Sequence, residues 1–150
     1  MLFDKLIEDY KSRQDIPTLY LVRGLPGSGK TTYVLKKLLV DNPSMKHFEA
    51  DMYFQQGGDY YYDASRLKEA HQWCFDQTKE ALQGGESVVV SNTFTQQWEM
   101  SKYIELAKTL PATLKVLKAT GEYQNVHNVP QASLDNMKKR WQDYEGEETI

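Results

Sequence analysis

The chain has 150 residues, of which 40% are hydrophobic and 26% charged, with a formal net charge of −3. That is the make-up of one ordinary folded domain and excludes wholesale disorder. The single cysteine, Cys74, excludes an internal disulfide or a multi-cysteine zinc site, and the longest apolar run, Leu19-Tyr20-Leu21-Val22, is far short of the ~20 residues that cross a bilayer. An acidic balance with four arginines (Arg13, Arg23, Arg66, Arg140) argues against a protein that grips long nucleic acid through a basic face.

In chain order, Leu2, Phe3, Leu6, Ile7 and Tyr10 predict an amphipathic helix over residues 1–15. Charges in every turn of that segment break any signal-peptide core, so the expectation is a cytoplasmic protein. Thr18 to Arg23 has the near-continuous apolar pattern of a buried parallel strand. A helical stripe of Val34, Leu35, Leu38 and Leu39 follows from Gly29 and stops at Asn42-Pro43. His47 to Ala50 predicts a short strand with Asp51 just past its end. Leu67, Ala70, Cys74, Thr78, Ala81 and Leu82 mark a long helix, N-capped at Asp63 and closed by Gly84-Gly85.

Ser87 to Ser91 is the clearest buried strand. Gln96 to Thr109 reads as helix, Leu114 to Ala119 as strand, and 120–130 as a polar loop. A last helix is expected to carry Leu134, Met137, Trp141 and Tyr144 on one face, with an acidic tail, 145–150, fraying beyond it. Alternating strands and helices imply one α/β domain over 1–150, with its core at 18–144. They specify a mainly parallel sheet of four or five strands flanked by helices, the arrangement of the P-loop NTPase fold. Ligands of such sheets sit beyond the carboxyl ends of the strands, so the segments after Arg23, Ala50, Val90 and Ala119 should converge.

Gly24-Leu25-Pro26-Gly27-Ser28-Gly29-Lys30-Thr31 is a complete G-x-x-x-x-G-K-[ST] phosphate-binding loop, placed between a strand and a helix as the chemistry requires. Its backbone N–H groups and the helix dipole would wrap the phosphates of a nucleoside triphosphate, with Thr32 in the first turn. Lys30 would bridge the β- and γ-phosphates of ATP, and the Thr31 hydroxyl would ligate Mg²⁺. A dinucleotide fingerprint would need glycine where Thr32 stands. Ser91-Asn92-Thr93 after the Val88-Val89-Val90 run offers no acid of the motor-ATPase kind, and no N-K-x-D guanine-reading motif occurs. What remains is transfer to a hydroxyl, which needs an orienting or basic carboxylate near the γ-phosphate. Asp51 is the candidate; its other reading is a polar residue that satisfies loop backbone.

Taken with Ala50-Asp51-Met52-Tyr53-Phe54, Ala70-His71-Gln72-Trp73-Cys74, Asn92-Thr93-Phe94-Thr95-Gln96, Trp98-Glu99-Met100 and Asn125-Val126-His127-Asn128-Val129-Pro130, the loop resembles the polynucleotide-kinase-like P-loop kinases. Within them it is most similar to a small animal and phage branch with the zeta-toxin and polynucleotide-kinase type of domain. The resemblance runs from about Tyr20 to Trp141. It implies that Asp51 activates a 5′-hydroxyl and that Asn92 and Thr93 line the acceptor pocket. Three positions depart from the pattern: Ser91 removes a second carboxylate, Gln124 stands where a lid arginine is usual, and Phe54 replaces an arginine that holds the acceptor strand's phosphate. An arginine finger is worth ~10³ to 10⁵ in rate in other P-loop enzymes. Slow transfer, a different acceptor and binding without turnover are therefore all compatible with the chain.

Other residues carry two readings each. His71 and Trp73 either face the acceptor cleft or pack between helices. Tyr60-Tyr61-Tyr62 either stack a base or cap the rim of the domain, and Phe54 is expected to contact the substrate by stacking in place of charge. His127 braces the lid loop, and Lys138, Lys139 and Arg140 reach a phosphate or form a solvated basic face. The expected function is an ATP- and Mg²⁺-dependent kinase acting on a nucleic-acid 5′ end, a nucleotide or a nucleoside. The alternative is a nucleotide-binding regulatory module with little turnover. The residues leave the oligomeric state open.

Overall fold

The computed structural model describes residues 2, 4–6, 16–123 and 129–150. Leu2, Asp4, Lys5 and Leu6 are helical; the rest of the helix expected over 1–15 lies outside the described residues. Five strands form one sheet: Thr18–Arg23 (β1), Lys46–Phe48 (β2), Val88–Ser91 (β3), Thr113–Lys118 (β4) and Glu148–Thr149 (β5). Their order is β2-β3-β1-β4-β5 and every pairing is parallel. β3 and β1 are central, and all four residues of β3 are buried, which explains its unbroken valine run.

Residues Lys30–Tyr33, Val34–Leu38 and Leu39–Asp41 run on as one helix (α1) whose middle stretch is π-helical. It ends where Asn42 bonds back to the Leu38 carbonyl through both its backbone N–H and its side-chain amide. Val34 and Leu38 of α1 pack with Val22, Val89 and Leu117 on one face of the sheet. Opposite them, Leu19, Leu21, Val88, Val90 and Val116 meet the helices Leu67–Gln83 (α2) and Gln97–Thr109 (α3) through Ala70, Cys74, Leu82, Met100, Tyr103 and Leu106. The strand residues alternate between these two cores, as the period of two demands.

The chain departs from the sequence reading at three places. Asp51 lies within a 3₁₀-helix, Ala50–Gln55, and not on a plain loop. The last helix, Gln131–Arg140 (α4), stops before Trp141, whose extended ψ of 130° breaks it, so Trp141 and Tyr144 leave the helical face assigned to them. Finally, the acidic tail does not fray: it returns as β5 beside β4, with Ile150 N–H donating to the Lys118 carbonyl and Thr120 N–H to the Ile150 carbonyl. What holds it is a buried cation under the sheet end. Among the described residues no helix is long and apolar enough to cross a membrane.

Candidate active site at the carboxyl end of the sheet

All four predicted segments converge at this end. Gly24 N–H donates to the Thr93 carbonyl, Asn92 N–H to the Val22 carbonyl and Ala119 N–H to the Arg23 carbonyl. The loop after β4 then clasps the glycine-rich loop, Gly121 N–H donating to Ser28 O at 3.0 Å and Tyr123 N–H to Gly27 O at 2.7 Å. Gly27 and Gly29 hold φ at 82° and 93°, a region that side chains disfavour. Gly24 is required for space: a Cβ there would run into Ser28 Oγ and lie 2.9 Å from the Ala119 carbonyl. At Gly29 it would come within 2.8 Å of the Tyr123 ring. The loop is thus held from both flanks and opens directly into α1, with Thr32 in the first turn.

Lys30 folds back over the loop, its Nζ donating to Gly24 O at 2.8 Å and Leu25 O at 3.1 Å. Burial pushes its ammonium down to about 8, against the pull of Glu49 in the other direction. Thr31 Oγ1 donates to Glu49 Oε1 at 3.0 Å, and His47 Nε2 lies 3.1 Å from the same oxygen. Burial would raise the Glu49 carboxyl, but the hydrogen bond and charge of His47, the hydrogen bond from Thr31 and the charge of Lys30 outweigh it and hold it below the ordinary glutamate value. Glu49 was not foreseen as a site residue. A lone glutamate in a polar stretch carries no local signal, and only the sheet places it beside the loop.

Asp51 stands two residues on, its Oδ1 accepting from Tyr60 OH at 2.7 Å. Burial first and the Asp51 carboxylate second push the Tyr60 hydroxyl up to about 12, so the proton of this bond stays on Tyr60. Asn92 does not present its amide to an acceptor pocket. It is buried, its Oδ1 accepting from Ala50 N–H at 3.0 Å and its Nδ2 facing Cys74 Sγ, which pins the start of the 3₁₀-helix that carries Asp51. Thr93 is half-buried beside the loop and offers its carbonyl to Gly24.

Phe54 corrects the reading of a ligand-stacking ring, because it is 5% exposed and packs in the α2/α3 core against Tyr53 and Tyr62. His71 is half-buried on α2 and feels Glu99 and Lys102 of α3; burial lowers its imidazole below the usual histidine value. Tyr60, Tyr61 and Tyr62 are exposed, at 49%, 73% and 56%. Gln124 and His127 lie outside the described residues.

Arg23 is the second group that the sequence reading passed over. It is fully buried directly before Gly24. Its Nε and Nη2 donate to the Phe94 carbonyl at 3.0 and 2.6 Å, Nη2 also to Gln142 O at 2.6 Å, and Nη1 to Glu147 Oε1 at 2.8 Å. The Trp141 ring covers the guanidinium at 4.2 Å. Phe94 carries the one positive φ of a non-glycine residue among the described residues, 45°, which its doubly held carbonyl sustains. One cation thereby ties the phosphate-binding loop, the end of β3 and the chain terminus together.

A nucleotide with its divalent cation fits this donor set. Among the described residues no group of three or more histidine, cysteine, aspartate or glutamate side chains could hold a metal by itself. Magnesium does not need such a cage, since it keeps most of its water and takes one or two protein oxygens beside phosphate oxygens. Thr31 Oγ1 with a carboxylate behind it is that kind of donor.

A family described as an AAA domain matches residues 19–143. Over 91 residues, 60% of this chain, the sequence is 42% identical to human NEDD4-binding protein 2, of which the match spans 5%. Kti12 of Chaetomium thermophilum, solved in complex with ADP-AlF3, superposes with a TM-score of 0.64 over 88% of both chains at 15% identity. A sugar kinase from Janibacter sp. HTCC2649 does so with a TM-score of 0.60 at 16% identity, over 89% of this chain and 83% of that one. At these identities the structural likeness is one of fold, a parallel sheet flanked by helices of the P-loop NTPase type.

Proposed function

Because the chain belongs to the AAA domain family, which matches residues 19–143, we propose that it is a phosphotransferase that moves the γ-phosphate of ATP to a hydroxyl group. The observation that carries this reading is the complete phosphate-binding loop with a carboxylate, Asp51, in the 3₁₀-helix that follows β2 at the same end of the sheet. Backbone N–H groups of Gly27, Gly29, Lys30 and Thr31 would cradle the phosphates, with Thr32 in the first turn of α1. Lys30 releases the Gly24 and Leu25 carbonyls and turns its ammonium to the phosphate oxygens. Thr31 Oγ1, which donates to Glu49, would hold Mg²⁺, and the ion would supply charge neutralisation to the phosphates. Asp51 accepts the acceptor's hydroxyl proton while the new O–P bond forms and the bond to the β-phosphate oxygen breaks.

The acceptor is a nucleotide, a nucleoside or a nucleic-acid 5′ end, in keeping with the 5′-hydroxyl that the resemblance to the polynucleotide-kinase-like kinases implies. Phe54 is buried where a strand-holding arginine would stand, and the exposed Tyr60 to Tyr62 offer stacking in place of charge, which supports a short acceptor. Incubation with γ-labelled ATP and a panel of nucleosides, nucleotides and 5′-hydroxyl oligonucleotides tests the reading. Label on a short acceptor is the expected result. Nucleotide binding without transfer to any acceptor would leave a regulatory nucleotide-binding module instead.

A further inference from the structure

The strand that ends beside a phosphate-binding loop normally brings an acid to the metal's water shell, and here β3 ends in Ser91. Its hydroxyl is buried and finds no hydrogen-bond partner among the described residues. The β2/β3 register pairs His47 with Val89 and Phe48 with Val90, so the next step sets Glu49 beside Ser91. Phe48 and Val90 face the α2/α3 core, while Val89 faces α1. By alternation Glu49 and Ser91 both point to the α1 side, where the loop lies. The Glu49 carboxylate already accepts from the hydroxyl of Thr31, at 3.0 Å.

We propose that Glu49 is a positioning residue that fixes Thr31 and orders the outer water shell of the nucleotide-bound divalent cation, one strand over from where an acid at the end of β3 would act. The inference rests on the nucleotide-site reading above. His47, on the same carboxylate oxygen, orients Glu49, so the carboxylate reaches the loop in one rotamer. A carboxylate that orients a metal's ligands or waters without ligating the metal is worth ~10 to 100-fold in metal affinity. Its charge also stands close to the phosphates, so without a cation it disfavours the nucleotide.

The experiment uses the full chain, wild type and Glu49→Gln, with ADP and Mn²⁺. Calorimetry in EDTA gives the affinity for metal-free ADP, and electron paramagnetic resonance titration gives Mn²⁺ affinity in the ADP complex. Glutamine keeps the size and one acceptor oxygen, and retained binding of metal-free ADP doubles as a check of the fold. The expected result is metal-free ADP affinity equal to or above wild type, with Mn²⁺ affinity lower by tenfold or more and an altered Mn²⁺ spectrum. Unchanged Mn²⁺ affinity overturns the proposal, as does an equal loss in both titrations, which would make Glu49 a strut of the loop. Loss of transfer with normal Mn²⁺ affinity would move Glu49 into proton transfer and equally overturn it. A wild-type protein that binds no ADP under either condition is a separate result: it removes the nucleotide-site reading, and this inference falls with it.

Discussion

The phosphate-binding loop and the segment 50–66 border the same end of the sheet, yet they are built in opposite ways. The loop is held from beneath by the buried Arg23, from one flank by Thr93 and from the other by Gly121 and Tyr123, largely through backbone hydrogen bonds. Segment 50–66 is fixed at its start by Asn92 and by the buried Phe54, after which residues 55–66 are exposed. A site for phosphate groups can be rigid, since every donor nucleotide presents the same phosphates, and a preformed ring of N–H groups binds them with little reorganisation. On the proposed reading segment 50–66 meets the acceptor, and surface residues on an ordered base are where a fold tolerates change.

The largest expected effect tests the acceptor side. Asp51→Asn keeps the hydrogen bond to Tyr60 but cannot take a proton, so transfer should fall by ~10² to 10⁴ while calorimetric ADP affinity stays at the wild-type value. Turnover at the wild-type rate would make Asp51 a strut of the 3₁₀-helix and leave the base elsewhere.

Next in size is the loop's support. Glu147→Ala leaves the buried Arg23 without its counter-ion, and breaking such a pair costs about 3 kcal/mol in urea unfolding. The remaining carbonyl acceptors of Arg23 keep the cost at that lower end. Because Arg23 adjoins Gly24, nucleotide affinity should fall alongside stability. If unfolding is unaffected, β5 is an ornament of the sheet edge and the support comes from Phe94 and Gln142 alone.

Lys30→Ala should weaken ADP binding by about tenfold to a hundredfold or more, the worth of a charge-assisted hydrogen bond or two, in a chain that still folds. The same lysine sets a pH dependence. Its folded value of about 8 lies below the ordinary 10.5, and bound phosphate raises it again by favouring the ammonium. Nucleotide binding therefore takes up a proton above pH 8, and affinity should be level below that pH and decline by up to tenfold per unit above it. The free protein moves the other way. Between pH 8 and 10.5 the unfolded chain binds more protons than the folded one, so stability rises with pH over that window. Affinity that is flat to pH 10 would mean that Lys30 does not meet the phosphates.

The smallest effect concerns oligonucleotides. Each phosphate contact adds ~0.7 to the salt slope for a single strand. With Phe54 in the core, binding of a 5′-hydroxyl oligonucleotide should show a slope of no more than about one or two such contacts. A steeper slope in a filter-binding series would reveal a basic path, with Lys138, Lys139 and Arg140 at the end of α4 the first place to look.

Local chemistry made most of the framework readable. Glycines at 24, 27 and 29 followed by Lys30 and Thr31 announce the phosphate loop because the motif works through its own backbone, and Val88-Val89-Val90 announces a central strand because both faces of that strand are covered. The place of Asp51 was legible for the same reason, a few residues past a recognisable strand. Glu49, Arg23 and Glu147 were not. Their significance lies in partners far away in sequence: Glu49 acts on Thr31, and Arg23 joins Phe94 to Glu147 across the end of the sheet. Phe54 and Asn92 failed in the opposite direction, looking like ligand contacts by position while the packing of α2 turned one into core and the other into a staple. Periodicity and motif report what a residue does for its own element, because those forces act within a few residues. Which strand lies beside which, and so which carboxylate stands behind the Thr31 hydroxyl and which one neutralises a buried arginine, was decided only when the sheet formed.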